Sequence, residues 1–490
     1  MGDILCGPLC NIKKDIQNRF FLLFSSPDKE RITHLLFDLS KRENMFIVGG
    51  AVRDSLIGKS FNDLDLVVEG NAEGIAKKLA KDLGFAFVEL SREFGIYRVA
   101  NPWTVIDISL QRGRTIEEDL KLRDFTINAM AISVRSLFEN RAYLIDPYLG
   151  YVDLKKRRVR GMAEENIVDD PLRILRGYRF FAQGYGLLER ETREWFAKHA
   201  KSLILSAPER ILYELELILL TDRAYEAFCL MDEDGVLEVI FPEINPCRNV
   251  PQPEYHHLDV WGHMLESLKW AEAILRDHEA YLGSSLPKDL KKDKDFIISV
   301  KLASLFHDLG KGYTFKQTEE RIVFYGHEKV SSDLVLKIAE RLRFKRDLGE
   351  RIALLVKSHM RPCQLLTEFE KGTLTIRAKR NLIKDVPYLW DLFIVAMADS
   401  LASRGVDKEP DYEDRLRTFF HHLFSFKEEL ERVEKRERVL TGRDLIELGF
   451  KPGPIFSKIL TAVELKVLEG EIKTKEDAVK FVLENYSAYL

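Results

Sequence analysis

Asp63 and Asp65, in Asn62-Asp63-Leu64-Asp65-Leu66-Val67-Val68, follow a glycine pair in Phe46-Ile47-Val48-Gly49-Gly50-Ala51-Val52-Arg53-Asp54. In a strand, residues i and i+2 share a face. Two carboxylates on one face repel unless a divalent cation sits between them. The glycines end a buried run and open a helix, and a helix N-terminus reached through glycine favours an anion such as phosphate. Asp107, in Ile106-Asp107-Ile108, is the natural third carboxylate for a two-metal site that activates a hydroxyl nucleophile. A phosphate cradle beside a Mg²⁺ dyad is nucleotide chemistry. Asp-x-Asp alone is a weak sign, because either residue can be a turn or cap. The preceding Gly-Gly-x-x-Arg-Asp makes it specific. Arg53 either faces phosphates or ties the turn to Asp54.

A second group lies further along: His263, His307-Asp308-Leu309-Gly310-Lys311, His327-Glu328, His359 and Asp399. Imidazole nitrogen and carboxylate oxygen together suit one or two divalent metals. His256 and His257, beside Glu254, are either secondary ligands or a surface turn.

These residues need elements to hold them. From about 30 to 135 helix and strand signals alternate: Ile32–Arg42 helical, Met45–Val48 a short strand, Val52–Ile57 helical, Leu64–Val68 a strand, Ala72–Leu83 an amphipathic helix and Thr104–Leu110 a strand. Beyond about 140 strand signals fade. Residues 165–240 read as consecutive helices and 245–254 as a proline-bearing linker. Residues 255–425 are helical and rich in histidine. The remainder is a charged helix, a break at Lys451-Pro452-Gly453-Pro454 and two more helical runs.

Lys+Arg number 75 and Asp+Glu 79, a net charge of −4 over 490 residues. A globally basic nucleic-acid coat is excluded, whereas a local basic groove is not. Five dispersed cysteines make no disulfide framework and point to a reducing cytoplasm. No stretch approaches 18 consecutive apolar residues, so no membrane partner is expected.

The first motif resembles the class II tRNA nucleotidyltransferases, the CCA-adding enzymes and bacterial poly(A) polymerases of the polymerase-β superfamily. Further matches follow in order. Arg123-Asp124-Phe125-Thr126-Ile127-Asn128 is similar to the family's ribose-selecting motif. Asp169-Asp170-Pro171-Leu172-Arg173-Ile174-Leu175-Arg176 is similar to its nucleotide-templating motif, although the family usually has Glu at the position of Asp169. Pro208-Glu209-Arg210 with Glu214-Leu215 is similar to its last head-and-neck motif. The histidine group resembles an HD domain. The resemblance implies an α+β fold: a small polymerase-β-like head with a mixed sheet and helices, followed by an all-helical neck, HD body and tail. The corresponding segments are an extension at 1–29, head at 30–140, neck at 141–245, HD domain at 246–425 and tail at 426–490. It implies a cytoplasmic enzyme in which Asp63, Asp65 and Asp107 hold two Mg²⁺. Gly49, Gly50 and Arg53 then cradle phosphates, and Arg123, Asp124 and Asn128 surround the ribose. Arg176 and Arg179 contact either triphosphate or a packing helix. A divalent metal is expected at the HD site, whose activity is either hydrolysis of phosphomonoesters or 2′,3′-cyclic phosphates, or none.

Asp170 and Arg173, at i and i+3, are expected on one helix face. Carboxylate accepts from an exocyclic amine and guanidinium donates to ring acceptors, so the pair can mimic a Watson–Crick edge and choose C or A. The bland alternative is that Asp170-Pro171 is an N-cap followed by Pro at N1, with Arg173 paired to it. CCA-adding members carry a flexible loop between the third carboxylate and the ribose motif. Only 124 − 107 = 17 positions separate Asp107 from Asp124, which leaves little room for it. Members lacking the loop resemble CC-adding enzymes, so addition of CC from CTP is favoured over full CCA addition from CTP and ATP, with a separate A-adding enzyme acting on the same tRNA. A chiefly HD-type phosphohydrolase is the reading from another class. The tRNA acceptor stem and TΨC arm would be held through shape and phosphates. Candidate contacts are Lys155–Arg158, Arg341 to Arg346, and Lys371 to Arg380.

Overall fold

The computed structural model describes residues 9–11, 20–139, 142–252, 258–319, 321–405, 408–435 and 439–490. His256 and His257 lie outside the described residues. The chain forms two compact units, Met1–Ile240 and Phe241–Leu490.

The first unit is built on a mixed sheet. Its strands are β1 (Leu9–Asn11), β2 (Met45–Val48), β3 (Asp63–Val68), β4 (Ala86–Ser91), β5 (Ile96–Ala100), β6 (Val105–Leu110), β7 (Ala131–Ser133) and β8 (Tyr143–Ile145). Their order is β1-β8-β7-β2-β3-β6-β5-β4, with β3 and β6 parallel and the other pairs antiparallel. The expected strands appear within a residue of their predicted starts. Five others, β1, β4, β5, β7 and β8, carried no clear alternation in the sequence. Of these, β4 and β5 form one edge, while β1 and β8 extend the sheet across the expected limits of the head at 30 and 140.

Helix Ala72–Leu83 starts where the Asn71 side chain accepts from the Gly74 N–H and stops at Gly84, whose φ of +75° suits glycine. Its Ile75, Ala76, Leu79 and Leu83 are buried on the sheet. The helices of the neck follow, among them Arg173–Ala182 and Pro208–Leu219. A two-stranded parallel pair, Arg158–Val159 with Leu187–Leu188, interrupts the expected all-helical stretch.

The second unit is helical apart from a short hairpin, Lys316–Gln317 with Ile322–Val323. Helix Lys294–Phe306 is buried from Ile298 to Phe306 without a break, as a helix enclosed by others must be. Helix Tyr412–Lys435 runs through the expected boundary at 425/426. A small three-helix tail closes around Leu445, Phe450, Ile459 and Val463. Its first and third helices begin with reciprocal capping boxes, Thr441/Asp444 and Thr474/Asp477. No described helix is long and apolar enough to cross a membrane.

Candidate active sites

In the first unit the parallel pairing sets Asp65 of β3 directly beside Asp107 of β6, with Asp63 two residues earlier on the same face. Burial and then repulsion from Asp107 push the Asp63 carboxyl above its ordinary value. Burial raises Asp65 too, partly offset by Arg123. Two carboxyls raised in this way, beside a third on the neighbouring strand, are the donor set a divalent cation relieves. Gly49 sits above them with φ +67°; a Cβ there would lie 2.9 Å from Asp65 Oδ2 and 3.4 Å from Arg123 Nη1. Only glycine leaves that space open. Arg123 points into it, and its buried Nε has no hydrogen-bond partner among the described residues.

The structure places several of the expected residues beneath the open site, Arg53 in the tie to Asp54 that was one of its two readings. Arg53 does not face the open site. It is 6% exposed, and all three of its nitrogens are engaged: Nε and Nη2 by Asp54, Nη1 by Asn128 Oδ1 at 2.7 Å, and Nη2 also by the Tyr185 hydroxyl. Asp124 accepts from Asn128 Nδ2 at 3.0 Å and from Arg176 at 2.6 and 2.8 Å. Arg179 donates to Glu214 at 2.6 Å. Arg53, Asp124, Asn128, Arg176 and Arg179 therefore form the frame under the site, with polar atoms committed to one another as burial demands. Burial opposes ionisation of Asp124, but Arg176 and Asn128 outweigh it and hold the carboxyl well below its ordinary value.

Asp170 and Arg173 do not share a helix face. The helix begins at Arg173, and Asp170 is extended, with φ −140° and ψ 92°, ending the Glu164–Asp169 helix. Pro171 disfavours helical backbone at the residue before it. The Asp170 carboxylate accepts from the Leu172 N–H at 3.3 Å and pairs with Arg210 at 3.1 Å. Arg173 donates to the Arg123 carbonyl at 3.2 Å. Arg210, 40 positions further on in the next motif, is thus the partner the spacing did not reveal.

The segment between β6 and helix Ile116–Lys121 is a tied turn. The Arg112 N–H donates to Asp119, the Arg114 N–H to Glu118, and Thr115 caps the helix. Gly113, with φ +84°, makes the bend.

The sequence reading missed Arg98, on β5. It faces Asp107 across the ladder and forks onto it, Nε–Oδ1 and Nη2–Oδ2 both 2.8 Å. The signal was there: Arg98 stands between the buried Tyr97 and Val99, on the opposite face.

In the second unit the six expected residues meet. His263 Nε2 lies 3.2 Å from His307 Nε2 and 3.1 Å from Asp399 Oδ1. Asp308 bridges: Oδ2 is 3.2 Å from His307 Nε2, and Oδ1 is 3.2 Å from His327 Nε2 and 3.6 Å from His359 Nε2. Most of these six donors stand at or next to a helix end: His307 and His359 at C-caps, His327 first in its helix, Asp399 in a last turn. The Nδ1 atoms of His307, His327 and His359 donate to carbonyls of Ser304, Phe324 and Val356 at 2.9, 2.9 and 2.7 Å. Those bonds leave the Nε2 atoms facing the centre. Burial pulls the His307 pKa down, but Asp308 and Asp399 outweigh it and raise it to about 10. Two groupings of three donors, His263/His307/Asp399 and His307/Asp308/His359, each lie within 4.8 Å, a fit for one or two divalent cations. A cavity of about 890 Å³ opens over them, lined also by Arg321, Tyr325 and Tyr412.

Of the basic clusters, Arg158 pairs with Asp153, Arg341 with Glu243, Arg346 with Glu350 and Arg380 with Glu464. Much of that charge is spent internally.

Family matches follow the same division. The Poly A polymerase head domain matches residues 45–115 and 104–160, and the probable RNA and SrmB-binding site of polymerase A matches 188–248. The HD domain matches 260–404, and the putative tRNA nucleotidyltransferase domain 2 matches 414–482. A CC-adding tRNA nucleotidyltransferase of Thermus thermophilus is 31% identical, covering 92% of this chain and 96% of its own. An A-adding tRNA nucleotidyltransferase of Deinococcus radiodurans is also 31% identical, covering 89% and 94%. A solved CCA-adding enzyme in its apo form has the same fold, with a TM-score of 0.66 at 23% identity over 98% of both chains. With that identity across nearly the whole of both chains, and the head, RNA-binding, HD and tail matches in series, this chain belongs to the tRNA nucleotidyltransferase family.

Proposed function

We propose that the enzyme adds two cytidines from CTP to the 3′ end of tRNA, without a nucleic-acid template, in the cytoplasm. A separate A-adding enzyme completes the end. The observation that carries this reading is the tied turn after β6, where Asp119, Glu118 and Thr115 hold the backbone that a longer, freer loop would otherwise occupy. Asp63, Asp65 and Asp107 would hold two Mg²⁺, which supply an acidified hydroxyl and charge neutralisation at the triphosphate. Gly49 leaves room for the nucleotide's phosphates, and Arg123 donates to them. Arg53 and Asn128 act from below, by fixing Asp124 and the Gly50–Ile57 helix. Asp170 and Arg173 flank the Arg123 wall from the neck, Asp170 accepting an exocyclic amine and Arg173 donating to a ring acceptor. Guanine and uracil present a carbonyl where the amine should be, opposite Asp170. The tRNA 3′-hydroxyl attacks the α-phosphate in line, and pyrophosphate leaves. The acceptor stem and TΨC arm supply the RNA contact.

The test uses three tRNAs, lacking the CCA end, ending in C and ending in CC, each given CTP, ATP or both. Two C additions and no A, even on the CC-ended tRNA, is the expected result. A complete CCA end overturns the loop argument, and A addition alone aligns the chain with the A-adding relative. The six converging donors favour a second activity in the HD domain, metal-dependent hydrolysis of a phosphomonoester or 2′,3′-cyclic phosphate. It is read as phosphate release from a monoester, or as ring opening of a cyclic phosphate to its monoester, either of which vanishes in His307→Ala.

A further inference from the structure

One cross-strand row of the head sheet runs Val48, Asp65, Asp107, Arg98, Val88, each residue directly opposite the next. The nucleotide side of this row is the β2 side, where Gly49 and Arg123 meet Asp65. On the other side lie Arg98, its side chain 42% exposed, and the exposed Val88 and Leu90 of edge strand β4. The hydroxyl that attacks must approach Asp107, and with CTP on the β2 side it comes over β5.

The Arg98 fork occupies both Asp107 oxygens. A carboxylate engaged in that way cannot offer the same oxygens to a divalent cation without placing two cationic centres side by side in a partly desolvated site. Arg98 therefore has to leave as the cation arrives, and it needs another anion. On the β5 side the available anion is the RNA's own last phosphodiester, one bond set away from the attacking hydroxyl.

Resting on the polymerase reading, we propose that Arg98 is a primer-sensing positioning residue: it is the counter-ion of Asp107 in the free enzyme and passes to the terminal phosphodiester of the tRNA when the 3′ end is seated, which frees Asp107 for the cation. Val88 and Leu90 form the apolar floor beside the terminal sugar. Metal binding at Asp107 is then coupled to the RNA and not to CTP alone.

The full-length protein is titrated with Mn²⁺ by electron paramagnetic resonance, with and without tRNA lacking its CCA end, and without nucleotide. Subtracting the same titration in an Asp107→Asn background isolates the ions that depend on Asp107 and removes those held by the HD domain. In the wild type, tRNA should tighten this site by about tenfold, the worth of one charge-assisted contact. In Arg98→Ala the site should already be tight and gain nothing from tRNA, while Arg98→Lys, which keeps the charge but not the fork, falls between them. The KM for tRNA should rise about tenfold in Arg98→Ala with the KM for CTP unchanged, and the salt slope of tRNA binding should fall by about one. If Arg98→Ala binds Mn²⁺ no tighter than wild type without tRNA, or gains as much from tRNA, the proposal is overturned. Absence of CTP incorporation by the wild type on any tRNA would instead remove the polymerase reading, whatever the Mn²⁺ data show.

Discussion

The carboxylates of the head stand on strands and the clustered donors of the HD domain mostly at helix ends, and the two groups balance their charge differently. Asp63, Asp65 and Asp107 share one face of a sheet, and the cations near them, Arg98 and Arg123, are partly exposed side chains on long stems. In the HD domain each charge has a buried partner, and three imidazoles are held by backbone carbonyls. A sheet face is open along its length and suits a polymer passing over it. A knot of helix ends encloses a point and suits a fixed ion. Rearrangement on ligand binding is expected in the head and not in the HD cluster, because only the head's cations can move without breaking secondary structure.

The largest expected effect separates the two chemistries. Asp65→Asn should lower CMP addition by about 10³-fold or more, as loss of transition-state charge stabilisation does. Hydrolysis of bis(p-nitrophenyl) phosphate should stay within about twofold. A parallel fall in both activities would break the comparison. Next, metal analysis after dialysis against a weak chelator should find about one or two ions per chain, retained by the HD cluster because its donors are fixed in advance. His307→Ala combined with Asp308→Asn should lose them and keep CMP addition. Retention by that double variant, with loss in Asp65→Asn, would reverse the assignment of rigid and mobile sites.

A smaller effect sharpens the frame beneath the head site. Arg176→Ala leaves Asp124 buried with only the neutral donors of Asn128 and the Phe125 N–H and should cost about 2–3 kcal/mol in urea unfolding, somewhat under a fully buried pair because Arg176 is partly exposed. Asp124 is held below its ordinary value, so its contribution is complete above about pH 4 and is lost as pH falls toward the folded value. The variant should lose part of that acid dependence. The smallest change concerns the turn after β6: Thr115→Ala removes a cap worth about 1 kcal/mol and should speed amide exchange over 111–121. It should not by itself permit A addition, since looseness in a short turn does not supply length.

What the sequence revealed was local. The strand reading of Leu64–Val68 placed Asp63 and Asp65 on one face, and the HD residues were identifiable from the adjacent His307-Asp308 pair with further His and Asp following in the order the HD resemblance implies. What it hid were pairings set at a distance. Arg53 follows the glycine pair as a phosphate ligand would, yet its partners Asn128 and Tyr185 come from two other elements. Asp170 and Arg173 have helical spacing, but Pro171 keeps the first of them extended. Edge strand β4 exposes Ala86, Val88, Glu89 and Leu90, so burial imposed no alternation on it. The boundary at 425 failed because a helix of 24 residues continues through a change of composition.

The two hydrogen bonds that Arg53 makes to Asn128 and Tyr185 span 75 and 132 positions of the chain. During synthesis the glycine turn emerges long before the residues that anchor it. At about 5–20 residues per second, roughly 7–26 s pass between the two. Until Asn128 arrives, the Arg53 guanidinium and the Asp54 carboxylate have only each other and water, and until Tyr185 arrives the Tyr185 hydroxyl is still missing from the cluster. The head is therefore a late product of translation despite its position near the start of the chain, and a nascent chain cut before Tyr185 should be more open to proteases around Gly49 than one cut just after it.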